Sequence, residues 1–204
     1  MIAIVDYGMG NLRSVAKAFE LFYDDVKVTR EPSDIENSKA VVLPGDGAFA
    51  MAMEHLDEQG WLDPLKKHIS ENKYFMGICL GYQLLFYNST EFGYTDGMGI
   101  IDGDVVKFSD KTLKVPHMGW NQVEIHGSSK FMNGVPDKSY FYFIHSFHPF
   151  LRDESWLVGS SNYGIDFPCI VGKGNVIATQ FHPEKSHKYG LKIVENFVRE
   201  STRT

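Results

Sequence analysis

The chain has 204 residues, 43% of them hydrophobic and 23% charged, with a formal net charge of -6, the size and balance of one soluble globular domain (1–204) rather than two. The acidic balance leaves no basic footprint for DNA or RNA, and no stretch reaches membrane-spanning length. Its two cysteines, Cys79 and Cys169, form no CxxC pair, so neither a disulfide framework nor a zinc knuckle is indicated and a reducing, cytoplasmic compartment fits.

Residues 2–5 (IAIV) form an apolar run that reads as a strand rather than part of a signal peptide, since the chain turns polar at Asp6. Leu12, Val15, Ala16, Phe19, Phe22 and Tyr23 then recur at helical spacing. Strands follow at VKVT (26–29) and AVVL (40–43), the second ending in the turn PGDG at 44–47. Helical patterns carry Phe49, Met53 and Leu56, then Leu62, Leu65 and Ile69, and the run FMGICLGYQLLF supplies the next strand and helix. Unbroken apolar strands alternating with amphipathic helices imply an α/β fold with a mostly parallel central sheet flanked by helices. Beyond residue 98 the pieces IIDGDVVKF, LKVPHMGWNQVEIHG, YFYFIHSF, WLVGSS, CIVGKG and NVIATQF are strand-like and joined by turn residues, which adds antiparallel strands in the second half. A closing helix carries Leu191, Val194, Phe197 and Val198 on one face. In open α/β sheets ligands bind at the carboxyl ends of the strands. Gly8 to Asn11, Gly45 to Gly47, Cys79 and the residues after Phe181 are therefore expected around one crevice.

Cys79 is the most informative residue. Gly77 and Gly81 flank it at a strand-to-helix junction, where small neighbours permit a strained bend and leave room above the sulfur. A thiol at a helix start also feels the positive end of the peptide dipoles, which favours the thiolate. A nucleophilic thiol needs a base and an orienting group. His182 follows the strand NVIATQF, and Glu184 stands two residues on, past Pro183. Read alone, these are a surface-loop histidine and a solvated charge; beside a glycine-flanked cysteine they complete a Cys, His, Glu relay. Acyl transfer through a thiol also needs amide donors for the tetrahedral oxyanion. The amide of Leu80 is one natural donor, and Asp46 or Gly47 in the glycine-rich turn supplies the second.

Other motifs carry less. YGMGNLR opens like a dinucleotide fingerprint but has Arg13 where Gly or Ala is needed. His182-x-Glu184 matches half of a zinc deaminase signature, yet no PCxxC follows. His145, His148, His182 and His187 are irregularly spaced, and no metal or other cofactor is expected.

Taken together, GICLGYQ, LPGDGAF and QFHPEKS resemble the triad-type (class I) glutamine amidotransferases. VDYGMGNLRSV and VPHMGWN resemble the branch of that family whose glutaminase subunit pairs with a (βα)8 barrel cyclase subunit, and the similarity runs from residue 2 to about residue 200. The resemblance implies that Cys79 attacks L-glutamine, that His182 is the acid/base and Glu184 its orienter, and that Gln83 contacts the glutamine. It places the oxyanion strand on Pro44 to Gly47, with Gly45 beside the substrate. It also places Asn11, Met118, Gly119 and Trp120 at the contact with the cyclase, which consumes the ammonia in a heterodimer. Asp46 departs from the small apolar residue common in this turn, and its carboxylate must point outward if its amide is to serve an oxyanion. Two alternatives stay open: a paralogue feeding ammonia to another acceptor, such as a surface-sugar precursor, and a non-catalytic binding protein on the same fold.

Overall fold

A computed structural model describes residues 1–109 and 112–203. In chain order the elements are β1 (Ile2–Val5), α1 (Leu12–Glu20), β2 (Val26–Thr29), β3 (Ala40–Leu43), α2 (Phe49–Glu58), α3 (Leu62–Ser70), β4 (Tyr74–Ile78), α4 (Leu80–Gln83), β5 (Phe86–Ser89), β6 (Thr95–Asp96) and β7 (Ile101–Lys107). They continue with β8 (His117–Ile125), β9 (Ser139–His145), β10 (Phe147–Leu151), β11 (Leu157–Asn162), β12 (Asp166–Lys173), β13 (Val176–Thr179) and α5 (His187–Thr202). A nine-stranded sheet runs in the order β2-β1-β3-β4-β13-β12-β11-β8-β9, and a four-stranded one in the order β10-β7-β5-β6. In the large sheet β2, β1, β3, β4 and β13 pair in parallel, while β12, β11, β8 and β9 continue it antiparallel. The expected mostly parallel sheet with antiparallel additions is therefore what the chain forms.

Side-chain alternation explains how that sheet is covered. In β1 and β3, Ile2, Ile4, Ala40 and Val42 point to one face, where Phe19 of α1 meets Phe197 of α5 edge-on with ring centroids 6.1 Å apart. Ala3, Val5, Val41 and Leu43 point to the other face, against Phe49, Leu56 and Leu65 of α2 and α3. Both faces are closed, which is why these strands read as continuous apolar runs. Helix α1 starts where it does because the Asn11 side chain accepts from the Ser14 amide at 3.2 Å.

One element differs from expectation. The apolar stretch after Cys79 is helical only for Leu80–Gln83 and then becomes the strand β5. Leu84, Leu85 and Phe86 are all fully buried, so burial on every side, rather than a one-faced helical stripe, accounts for that run of apolar residues.

Candidate active site

Register brings the expected site together. Leu43 pairs with Gly77, and Ile78 with Thr179, so the residues after β3, β4 and β13 leave the sheet side by side. Cys79 takes φ +56° and ψ -106°, a left-sided conformation that a non-glycine residue holds only under constraint. Its amide donates to the Thr179 carbonyl at 2.8 Å and its carbonyl accepts from Tyr82 at 3.1 Å. The flanking glycines work by close approach rather than by left-handed torsions. A Cβ on Gly81 would collide with the Leu43 carbonyl, and one on Gly77 would sit 2.8 Å from the Gly81 carbonyl oxygen. These contacts let the α4 turn lie directly on the strand ends and present the sulfur upward.

His182 Nδ1 lies 2.8 Å from Glu184 Oε1, and the side chains are only 8% and 1% exposed. The other carboxylate oxygen, Oε2, is buried with no hydrogen-bond partner. Burial pulls the imidazolium down, but the charge and hydrogen bond of Cys79, followed by those of Glu184, outweigh it and carry the His182 pKa up to about 10. The ring thus has the carboxylate at its Nδ1 and lines the same cavity as Cys79. Its backbone is fixed as well: the His182 amide donates to the Tyr142 carbonyl at 3.0 Å, and the Ser186 hydroxyl donates to the His182 carbonyl at 2.6 Å while accepting from the Tyr142 amide at 3.0 Å.

A cavity of about 290 Å³ opens above these groups, and Cys79, His182, Leu80, Gln83, Asp46 and Gly47 all line it. Gly45 does not line it but is buried beneath, against Tyr7, Leu80 and Gly81. The Leu80 amide donates to the Gly45 carbonyl at 3.4 Å, so in this arrangement it faces the turn rather than the cavity. The Asp46 carboxylate is tied back to the segment after β1: its Oδ1 accepts from the Gly10 amide at 2.9 Å. Gly47 has φ +90°, a torsion that favours glycine.

Gln83 is buried, and its Nε2 donates to the Phe147 carbonyl and to Gln180 Oε1, each at 2.9 Å. Gln180, which sequence reasoning misses, is fully buried and turns its Nε2 toward the Cys79 sulfur at 3.9 Å. Its signal is a polar residue at the end of an apolar strand, two positions before His182. The opposite wall, Ile144 to Phe147, likewise carries no motif that marks it as part of the site. A chain of neutral imidazoles holds it. Asn121 Nδ2 lies 3.3 Å from His117 Nε2, His117 Nδ1 lies 2.9 Å from His145 Nε2, and His145 Nδ1 lies 2.8 Å from the Phe147 carbonyl. The amide donor fixes the direction: each ring accepts on Nε2 and donates from Nδ1. Burial is the main cause that lowers His117 to about 4 and His145 to about 3. Among the described residues, no group of three or more His, Cys, Asp or Glu side chains is placed to hold a metal ion.

None of the residues expected at a partner surface lines the cavity. Met118 and Trp120 are 60% and 45% exposed, and Trp120 stacks on His187 with centroids 4.9 Å apart. Gly119 has open space around it, and Asn11 is exposed as the cap of α1. Met118 pairs with Ile144, and Trp120 with Tyr142, across β8 and β9.

The Glutamine amidotransferase class-I pattern matches residues 3–201. The chain belongs to the class I glutamine amidotransferase family. Among curated members, it is 46% identical to "Imidazole glycerol phosphate synthase subunit HisH" of Desulfitobacterium hafniense, covering 97% of this chain and 93% of that protein. It is 48% identical to the protein of the same name from Methanocaldococcus jannaschii, covering 97% and 98%. The fold is shared with solved structures. A putative GMP synthase component from Thermoplasma acidophilum superposes with a TM-score of 0.71 at 25% identity, covering 98% of this chain and 92% of that one. PurLQS from Thermotoga maritima does so with a TM-score of 0.77 at 18% identity, covering 98% and 97%. Among the described residues, no helix is long and apolar enough to cross a membrane.

Proposed function

We propose that this chain is the glutaminase subunit of imidazole glycerol phosphate synthase, acting as one domain that hydrolyses glutamine and supplies ammonia for histidine biosynthesis. One observation carries the chemistry: Cys79 and His182 share a cavity wall, and Glu184 is paired behind the imidazole at 2.8 Å. In this reading the Cys79 sulfur attacks the side-chain amide carbon of glutamine. The tetrahedral oxyanion is held by backbone amides of the Leu80 and Asp46–Gly47 segments. His182 delivers a proton to the departing nitrogen, ammonia leaves, and the glutamyl thioester remains. A water, deprotonated by His182, then adds to the thioester carbonyl and releases glutamate and the thiol. Glu184 keeps the imidazole oriented and offsets its positive charge.

The partner in this reading is a (βα)8 barrel cyclase, and the pair works in the cytoplasm. Ammonia released into water at neutral pH is protonated and loses its nucleophilicity, so a glutaminase of this kind needs a sheltered route to its acceptor. The exposed ribbon of Met118, Trp120 and Ile144 supports a docking face there, since large apolar side chains outside the core mark contact surfaces. Replacing Cys79 with Ser should abolish glutamine hydrolysis while the reconstituted complex still cyclises with added ammonium. Full glutamine-dependent turnover in Cys79→Ser would refute the assignment.

A further inference from the structure

The Tyr7 hydroxyl is buried and has no hydrogen-bond partner. Tyr7 lies two residues past the end of β1 and is 0% exposed, and its ring end lies against the turn at Pro44 to Gly47: a Cβ on Gly45 would run into the hydroxyl oxygen. A phenol in such a place is disfavoured against a phenylalanine of the same shape unless it finds a partner in some other state of the protein. Burial first, then the charges of Asp46 and Cys79, push this phenol well above its ordinary range. It therefore stays protonated and remains a donor.

The adjoining turn contains the complementary group. The Gly45 carbonyl accepts from Leu80 at 3.4 Å, at the long end for an amide hydrogen bond. For the Leu80 amide to hold an oxyanion, that carbonyl must release it, and a buried carbonyl so released needs a new donor. Beyond Gly45 the turn is tied by Asp46 to the Gly10 amide at 2.9 Å, so rotation of the single peptide between Gly45 and Asp46 suffices.

We propose that the Tyr7 hydroxyl receives the Gly45 carbonyl when the turn takes its oxyanion-binding form, which makes Tyr7 a positioning residue for glutamine hydrolysis. The inference rests on the glutaminase reading above. It gives the released carbonyl a partner and the orphan hydroxyl a purpose.

Steady-state glutaminase assays on the complex with the cyclase, comparing wild type with Tyr7→Phe, test it. The expected result is a kcat lower by about three- to tenfold, the worth of one hydrogen bond, with the KM for glutamine unchanged. Cys79 should be alkylated by iodoacetamide at the wild-type rate, and the thermal midpoint should be equal or higher. A wild-type kcat in Tyr7→Phe overturns the inference, as does a loss carried by KM or by a lowered midpoint, which would mark a packing role. A wild-type complex that hydrolyses no glutamine would instead overturn the glutaminase reading, and the role of Tyr7 with it.

Discussion

Leu80 and Gly45 are joined by a hydrogen bond from the amide of the first to the carbonyl of the second, at 3.4 Å. In the proposed mechanism, the amide assigned to the oxyanion is therefore held by the turn assigned the other donor. Position 45 has no room for a side chain: a Cβ on Gly45 would lie 2.9 Å from the Leu80 Cβ and 3.2 Å from the Gly81 nitrogen, besides meeting Tyr7. Gly45→Ala should displace the turn and lower glutamine hydrolysis by about 10²-fold or more, the usual cost of losing an oxyanion donor. Ammonium-driven cyclisation by the complex should be unchanged. Near-normal glutaminase rates in Gly45→Ala would argue that the turn takes no part.

The strained torsion at Cys79 makes a stability prediction with an unusual sign. Glycine in place of alanine normally costs a folded protein about 0.5 to 1 kcal/mol. At φ +56° and ψ -106° the order should reverse, with Cys79→Gly more stable than Cys79→Ala by about 1 kcal/mol, because only glycine enters this region without strain. Urea denaturation of the two inactive variants measures it directly, and an alanine variant as stable as the glycine one would mean the bend carries no strain.

Glu184→Gln keeps the shape of the side chain and removes its charge. The His182 pKa should fall from about 10, because one of the influences that raise it is gone, and an NMR titration of the ring would follow the change. Glutaminase kcat should drop on the order of 10²- to 10⁴-fold with little effect on KM, as expected when a base loses its orienting carboxylate. An unmoved titration would place the source of the raised pKa elsewhere.

The buried imidazoles set an acid limit on stability. His117 titrates at about 4 and His145 at about 3 in the folded chain, against about 6.5 when unfolded. Above pH 6.5 neither state protonates these two rings, and what they contribute to stability is fully present. Below it the unfolded chain binds protons that the folded one refuses, so stability falls as pH drops from about 6.5 toward about 4, at about 1.4 kcal/mol per pH unit for each ring. Denaturation midpoints at pH 7 and pH 5 should differ in the wild type and draw closer in His145→Gln. Equal midpoints in the wild type would show that these rings are not the limiting groups.

The parts of the site that are legible in the sequence are those whose signal is local. Gly77, Cys79 and Gly81 within five positions mark a tight junction because close backbone approach leaves a compositional trace. His182 and Glu184 are near neighbours for the same kind of reason: a carboxylate two residues on can reach back to the ring. What stays hidden depends on distant segments meeting. Gln180 gains its meaning from Gln83, 97 positions away, and the orphan hydroxyl of Tyr7 exists only once Gly45 is packed against it. The short α4 reads as a longer helix because uniform burial of Leu84 to Phe86 erases the periodicity by which a helix is told from a strand. The direction of the Asp46 carboxylate is equally unreadable, since its partner is a backbone amide 36 residues earlier.

Strand β9 ends the nine-stranded order, a margin that would ordinarily offer its unpaired peptide groups to other chains. At Tyr142 that margin is occupied by the segment bearing His182, through the hydrogen bonds of His182 and Ser186. The segment to which the proposed mechanism assigns the base thus also covers part of a sheet edge, so Ser186→Ala should raise the insoluble fraction as well as lower activity.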